Sequence, residues 1–110
     1  MTSLPAWGLD DLLHALADPE RRKIVDLLAR GSRSAGDLAV EIGAGRPATS
    51  RHLKILKTSG VVDEHHPTYD ARVRIYALKA GALDGVKHWL AETEAMWTDQ
   101  LAGFKAHIEQ

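Results

Sequence analysis

The spacing of apolar residues along the chain predicts a mostly helical protein. Apolar side chains at positions 9, 12, 13 and 16 follow the helical period. Asp18 and Pro19 form a typical helix start, with Asp18 as the N-cap, and this second helix is expected to end near Gly31. No proline interrupts the helical pattern from about 83 to 109. At ~1.5 Å per residue, this last helix is about 40 Å long.

Two helices joined by a tight turn, followed by two extended segments, occupy the middle of the chain. Ser34 caps a short helix, residues 43–45 (Gly-Ala-Gly) form the turn, and the next helix spans about 46–59. Val61–His65 and Arg72–Leu78 have the β-branched and aromatic content of strands. This order predicts a winged helix-turn-helix fold, mostly α with a β-hairpin wing, the helix-turn-helix at about 34–58 and the wing at about 61–78. Extra helices lie at both ends, the last at about 83–109, and we expect a single domain over residues 1–110.

The helix that follows the turn carries a strongly basic face. Between residues 46 and 57 it has Lys and Arg but no acidic residue, and Leu53 and Leu56 turn inward. Such a helix fits the major groove of DNA, where Arg and Ser contact base edges and Lys contacts phosphates. The predicted DNA-binding residues are Arg46, Ser50 and Arg51 for bases, Thr49 as a lesser base contact, Lys54, Lys57, Arg72 and Arg74 for phosphates or the wing, and Pro47 and His52 beside them.

The last helix carries a separate apolar pattern. Val86, Leu90, Thr93, Trp97, Leu101, Phe104 and Ile108 recur at spacings of four and three, as in a coiled coil. Because so long a helix exceeds what a small domain covers, we expect a homodimer interface formed by Val86, Leu90, Trp97, Leu101, Phe104 and Ile108. Two other interpretations stay open: an intramolecular core, or a hydrophobic ligand pocket between Trp89, Met96 and Trp97.

Composition narrows the classes of function. The absence of cysteine excludes disulfides, thiolate metal sites and cysteine nucleophiles. No phosphate-binding glycine loop, nucleophile elbow or metal-hydrolase motif occurs, so neither an enzyme nor a cofactor is expected. The net charge is -1, but residues 20–79 carry 12 basic against 7 acidic side chains, which favours a polyanionic partner such as double-stranded DNA. No apolar run reaches ~18 residues and the N-terminus lacks a basic region, so we expect a cytoplasmic protein that avoids membranes.

Three stretches of sequence carry a resemblance to a known family. HALADPERRKIVDLLARG (14–31), SRHLKILKTSGVV (50–62) and RVRIYAL (72–78) resemble the ArsR/SmtB family of bacterial winged-helix repressors over roughly residues 10–80. The resemblance implies a homodimer that binds an inverted-repeat operator and represses transcription, with the first and last helices building the dimer. By the same resemblance, the recognition helix begins at Arg46, and residues 50–52 (Ser-Arg-His) match the family's central signature.

The chain departs from the family's pattern at several positions. Thr49 stands where a branched apolar residue is usual, Gly45 replaces the commoner Ser or Thr cap, and Asp70 lies near the wing tip, where it would repel phosphate. The paired cysteines of the metal-sensing members fall on Ser34 and Gly36. The family's thiolate site is therefore absent.

Two alternative functions stay open. The first is the same repressor relieved by a metal at the last helix, with Asp84, His88 and His107 as candidate ligands, although their spacing misses the family's pattern. The second is a winged helix that binds protein, against which the all-basic helix argues. The sequence identifies no small-molecule effector.

Overall fold

The computed structural model describes residues 6–109, with side chains from residue 8 onward. Its helices are α1 (Ala6–Leu16), α2 (Pro19–Leu28), α3 (Ala35–Ile42), α4 (Arg46–Thr58) and α5 (Asp84–Ile108), and its strands are β1 (Arg33–Ser34), β2 (Val62–His65) and β3 (Ile75–Leu78). The expectation about the N-terminal segment rests partly on residues 1–5, which lie outside the described part.

The helix boundaries follow the local chemistry that the sequence predicts. The Asp18 carboxylate accepts hydrogen bonds from the amides of Glu20 and Arg21, at 2.8 and 3.1 Å, and thereby caps α2. These two amides also favour the ionised carboxylate, and the bond from Arg21 is the main reason why the pKa of Asp18 is lowered. Ser34 caps α3 through the amide of Asp37, and Gly60 takes the left-handed conformation after α4, with φ of 81°. The predicted caps are confirmed.

The wing is part of a three-stranded antiparallel sheet with the order β1-β3-β2. The strand β1, which the sequence did not predict, pairs Arg33 with Tyr76, and the amide of Ala35 then donates to the carbonyl of Arg74 at 3.1 Å. The predicted strand 72–78 is too long. It begins at Ile75, so Arg72 and Arg74 precede it in the loop.

The hydrophobic core lies between the helices and the sheet. Buried side chains come from α1, α2, α3, α4, β2 and β3 and from the turn before β2. They are Leu12, Ala15, Ile24, Leu28, Leu38, Leu53, Leu56, Val61, Val62 and Tyr76. Leu53 and Leu56 anchor one face of α4 in this core, as predicted. The opposite face of α4 is thereby held toward solvent.

Helix α5 extends well beyond the rest of the molecule. The dimensions are 69 × 29 × 21 Å and the radius of gyration is 18.7 Å, against about 13 Å for a compact chain of this length. No residue of α5 is fully buried. Among the described residues, no helix is both long and apolar enough to cross a lipid bilayer.

Candidate nucleic-acid interface

The outward face of α4 is basic along its whole length. Arg46, Arg51, Lys54 and Lys57 are all exposed, as is Pro47, while Ser50 is half-buried between them. No side chain caps the N-terminus of α4, because Gly45 is its N-cap. The structure therefore brings these predicted residues together on one exposed surface.

These cations differ in their ionic partners. Within residues 8–109, Arg46, Arg51 and Lys54 form no salt bridge, whereas the ammonium of Lys57 lies 2.7 Å from a carboxylate oxygen of Glu64. This hydrogen bond raises the pKa of Lys57 and lowers the pKa of Glu64. The first three cations are thus available to an external anion, and Lys57 must first leave Glu64.

The wing loop shows the same kind of pairing. The side chain of Arg72 is 92% exposed, and its Nε lies 3.2 Å from a carboxylate oxygen of Asp70. The same carboxylate accepts the backbone amide of Arg72 at 3.0 Å, so both contacts lower the pKa of Asp70. Arg74 is exposed, and its one side-chain hydrogen bond within residues 8–109 is a long contact of 3.5 Å to the Tyr76 hydroxyl. The carboxylate of Asp70 thus pairs with Arg72 in the free protein.

Two predicted DNA contacts are corrected by the structure. Thr49 is only 1% exposed and faces the core, so its side chain is out of reach of a base. His52 is half-buried and faces α2: its Nδ1 lies 3.4 Å from Arg21 Nη1, and its Nε2 lies 3.2 Å from a carboxylate oxygen of Glu20. Both residues lie on α4, but on the sides that pack against the protein.

His52 belongs to a group of possible metal ligands. Ligand atoms of Asp18, Glu20 and His52 all lie within 4.8 Å of one another, the only such group of three among the described residues. The guanidinium of Arg21 can only donate, so Nδ1 of His52 is the acceptor and Nε2 carries the proton that points to Glu20. The cationic guanidinium of Arg21 lies beside Nδ1 of the same ring and disfavours a metal cation at this group. The group is better described as a hydrogen-bonded link between α2 and α4.

The metal candidates of the last helix are not brought together in one chain. His88 lies 3.2 Å from a carboxylate oxygen of Glu92, one turn further along α5. Asp84 and His107 lie at opposite ends of the same helix. These three residues cannot share one metal ion within a protomer.

The predicted dimer residues form an uncovered apolar surface, with one exception. The exposed fraction of each residue lies between 44% and 66% for Leu90, Trp97, Leu101, Phe104 and Ile108. Val86 is half-buried and packs against the core of its own chain, and its place in the dimer interface stays a prediction. Trp89, Met96 and Trp97 are exposed rather than gathered around a cavity.

Sequence reasoning missed a small cavity beside this interface. Its volume is about 110 Å³, and its lining residues are Ala35, Gly36, Arg46, Thr49, Ser50 and Arg74. The predicted cap at Ser34 indicates where α3 begins, and this end of α3 lies at the cavity. The approach of Arg74 follows from the β1–β3 pairing, which the sequence did not predict.

Comparisons with known proteins agree with this geometry. The model of the family described as "Bacterial regulatory protein, arsR family" matches residues 18–64, which contain α2, α3 and α4. The transcriptional repressor SdpR of Bacillus subtilis is 34% identical over 82 residues, 74% of this chain and 88% of the relative. The HTH-type transcriptional regulator Rv2034 of Mycobacterium tuberculosis is 35% identical over 100 residues, 91% of this chain and 88% of the relative.

A solved structure extends the similarity to the whole fold. The ArsR-like transcriptional regulator from Rhodococcus sp. RHA1 has a TM-score of 0.82 at 28% identity, and the match covers 99% of this chain and 97% of that structure. The matched relatives thus align along most of their own length with this chain, which includes the helices, the small antiparallel sheet and the basic face of α4. The chain belongs to the ArsR family of bacterial regulatory proteins and is a winged helix-turn-helix, DNA-binding transcriptional regulator, not an enzyme.

Proposed function

We propose that the protein is a homodimeric repressor that binds an inverted-repeat operator with α4 in the major groove of double-stranded DNA. The observation that carries this proposal is the outward face of α4, where Arg46, Arg51 and Lys54 have no acidic partner among the described residues. A basic helix anchored by one apolar face is the element that major-groove readers insert. Repression is the activity that the names of several relatives give.

The residues of α4 and the wing divide into two roles. We assign base contacts to Arg46, Ser50 and Arg51 on the outward face of α4, because Arg matches guanine and Ser accepts either base type. We assign phosphate contacts to Lys54 and Lys57. The wing arginines at 72 and 74 contact the neighbouring backbone, and Pro47 packs beside the sugar-phosphate chain.

Dimerisation sets the distance between two recognition helices, and this distance has to match the spacing of the operator half-sites. Two copies that pair through the exposed apolar surface of α5 present two recognition helices, and a two-fold axis matches an inverted repeat with half-sites about 10 base pairs apart. Residues 1–110 then act as one domain, in the cytoplasm where bacterial DNA lies.

The first test is a binding measurement with a matched variant. Fluorescence anisotropy with the DNA upstream of the protein's own reading frame, against a shuffled duplex at ~150 mM salt, should give selective and salt-dependent binding. Arg51→Ala should lose about 1–3 kcal/mol on the selected site and relax the preference at one base position, because a bidentate base contact is lost. Arg30→Ala removes an exposed arginine at the end of α2 and should bind as the wild type does.

Two outcomes would contradict the proposal. Equal, salt-independent binding to both duplexes would exclude α4 as a DNA reader. A loss in Arg30→Ala as large as in Arg51→Ala would show that only overall charge matters.

A further inference from the structure

The carboxylate of Glu64 connects the basic helix α4 to the wing. Its Oε1 lies 2.7 Å from the ammonium of Lys57, and its Oε2 lies 3.4 Å from Nε2 of His66, which directly follows β2. We call this group of Lys57, Glu64 and His66 the Glu64 link. The side chain of Glu64 is only 14% exposed, so salt screens the contacts of this carboxylate less than it screens contacts on an open surface.

The other nitrogen of the His66 ring contacts the wing loop. Nδ1 lies 2.8 Å from the carbonyl oxygen of Ala71 and 3.1 Å from the carbonyl oxygen of Val73. Because a carbonyl oxygen can only accept, Nδ1 carries a proton. In the neutral ring Nε2 is then a lone pair that faces the Glu64 carboxylate, and no proton lies between these two acceptors. A proton taken up from solvent at Nε2 converts this contact into an ion pair.

His66 is the member of the Glu64 link whose charge changes near neutral pH. Histidine titrates between pH 5 and 8, whereas lysine and glutamate are both charged near neutral pH. The hydrogen bond between Lys57 and Glu64 raises the pKa of the lysine and lowers the pKa of the glutamate, which moves both further from this interval. Two further groups face Glu64: Tyr76, opposite it on β3, has a pKa raised by burial, and Arg74 carries a fixed positive charge.

Protonation of His66 lowers the cost of moving Lys57 away from Glu64. While the ring is neutral, the departure of Lys57 to a DNA phosphate leaves a half-buried carboxylate without its nearest cation. Once the ring is protonated, His66 keeps this carboxylate paired, and the two cations of the Glu64 link repel each other. The Glu64 link as a whole then changes from neutral to singly positive.

We propose that Glu64 and His66 are positioning residues that regulate the DNA contact of Lys57, and that uptake of one proton by His66 releases Lys57 to a phosphate. This inference rests on the proposed function, in which Lys57 contacts the DNA backbone. Binding to DNA becomes stronger in acid through this one proton, and the effect requires the carboxylate of Glu64.

Three substitutions separate the Glu64 link from a general effect of charge. His66→Gln retains an amide that can donate to a wing carbonyl, but it takes up no proton. Glu64→Gln removes the anion that holds Lys57. His65→Gln is the matched control, because His65 is an exposed neighbouring histidine on the opposite face of β2 and forms no side-chain hydrogen bond within residues 8–109.

The first arm of the test measures the affinity for a shuffled duplex at about pH 8 and about pH 5.5, by fluorescence anisotropy near 0.1 M salt. From the higher to the lower pH, the wild type and His65→Gln should gain roughly five- to tenfold more affinity than His66→Gln, and their salt slope should steepen by about 0.9, because one phosphate contact is added. Glu64→Gln should bind more tightly than the wild type at the higher pH and gain less in acid.

Two results of this arm would overturn the proposal. If Glu64→Gln gains as much in acid as the wild type, His66 acts through its own charge and not through Lys57. If His65→Gln loses as much of the gain as His66→Gln does, the effect belongs to the total charge of the wing.

The second arm uses the free protein and no DNA. The ¹³C signal of the Glu64 carboxyl carbon and the ring signals of His66 are followed by NMR between about pH 8 and about pH 5.5. We expect both to change with the same midpoint in the wild type, and the Glu64 signal to stay nearly constant in His66→Gln. A Glu64 signal that does not follow the His66 ring in the wild type would overturn the proposal without recourse to any variant.

The failure of this proposal is distinct from the failure of the proposed function. If the wild type binds no duplex in a salt-dependent way at either pH, the proposed function fails, and the release of Lys57 to DNA fails with it. If binding is salt-dependent but strengthens equally in the wild type and His66→Gln, the proposed function stands and only the role of His66 is overturned.

Discussion

Thr49 was predicted to contact DNA because it lies on the basic helix α4, but its own position on the helix places it in the core. It lies in the DNA-facing half of α4 along the sequence, yet it is buried, because position 49 is one turn before Leu53 and two turns before Leu56 on the same face. That spacing was present in the sequence and should have removed Thr49 from the base contacts. The resemblance gave a better indication, since it expected an apolar residue at this position. Threonine has the branched shape of such an apolar residue, but it also places an unpaired hydroxyl in the core.

Replacing Thr49 by valine should stabilise the protein. The change keeps the branched shape and removes a buried, unpartnered hydroxyl, whose desolvation costs about 1–3 kcal/mol. Urea unfolding should therefore give a free energy of unfolding about 1 kcal/mol higher. Thr58→Val, at the exposed end of α4, is the control and should change little. A lower stability for Thr49→Val would mean that the hydroxyl already has a partner in the folded protein.

At the scale of elements, the helices could be predicted and the sheet only in part. The period of apolar residues and the caps at Asp18 and Ser34 define the helices, because these signals are local. The strand β1 has two residues, too few for any alternation to appear, and its pairing with β3 depends on contacts distant in sequence. The small cavity lined by Gly36, Arg46 and Arg74 depends on that pairing. For the same reason, the ion pairs of the wing were not foreseen, since the conformation of residues 66–74 decides which side chains meet.

The wing carries a prediction of its own, because Asp70 holds Arg72 in an ion pair. A DNA phosphate that binds Arg72 has to displace this carboxylate, whose pKa is held below its ordinary value by its hydrogen bonds with Arg72. Asp70→Asn retains an oxygen for the backbone amide of Arg72 but removes the competing charge. We therefore expect tighter binding to a shuffled duplex, with a salt slope steeper by up to ~0.9.

Asp63→Asn separates this effect from a general change in charge. Asp63 is exposed on β2, and the neighbouring residue Glu64 points to the other face of the strand. The same anisotropy titrations should show a smaller gain for Asp63→Asn. Equal gains for the two variants would mean that the Asp70–Arg72 pair does not restrain DNA binding.

At the scale of the whole molecule, the protein has two parts: a body with its own buried core and a long helix whose apolar residues are uncovered. The helix-turn-helix and the sheet share one buried core, whereas α5 extends past them with its apolar residues uncovered. Periodicity alone predicted both the helix and its apolar seam. It did not indicate that Val86 also packs against the core of its own chain, because the point at which α5 leaves the body of that chain is set by tertiary packing with α1 and the core. Beyond Val86, the exposed seam is a surface that a second copy of the chain can cover.

Trp97→Glu should separate the protein into monomers. Trp97 is 65% exposed in the single chain and lies at the middle of the seam, so a partner helix would bury it, and a buried carboxylate without a partner is strongly unfavourable. Sedimentation should give twice 12.0 kDa for the wild type and a single 12.0 kDa chain for the variant. Ala95→Glu introduces the same charge two residues away, on the opposite side of α5, and should remain dimeric.

DNA binding supplies the second readout of the same variant, because the loss of a dimer has a defined consequence for an inverted repeat. A monomer keeps its α4 and wing, so Trp97→Glu should bind an isolated half-site as well as the wild type does. On the full inverted repeat it should lose the advantage of two linked recognition helices, which the wild type and Ala95→Glu retain. A Trp97→Glu protein that stays dimeric in sedimentation would place Trp97 outside the interface. One that is monomeric yet binds the full repeat with wild-type affinity would show that operator binding does not require pairing through α5.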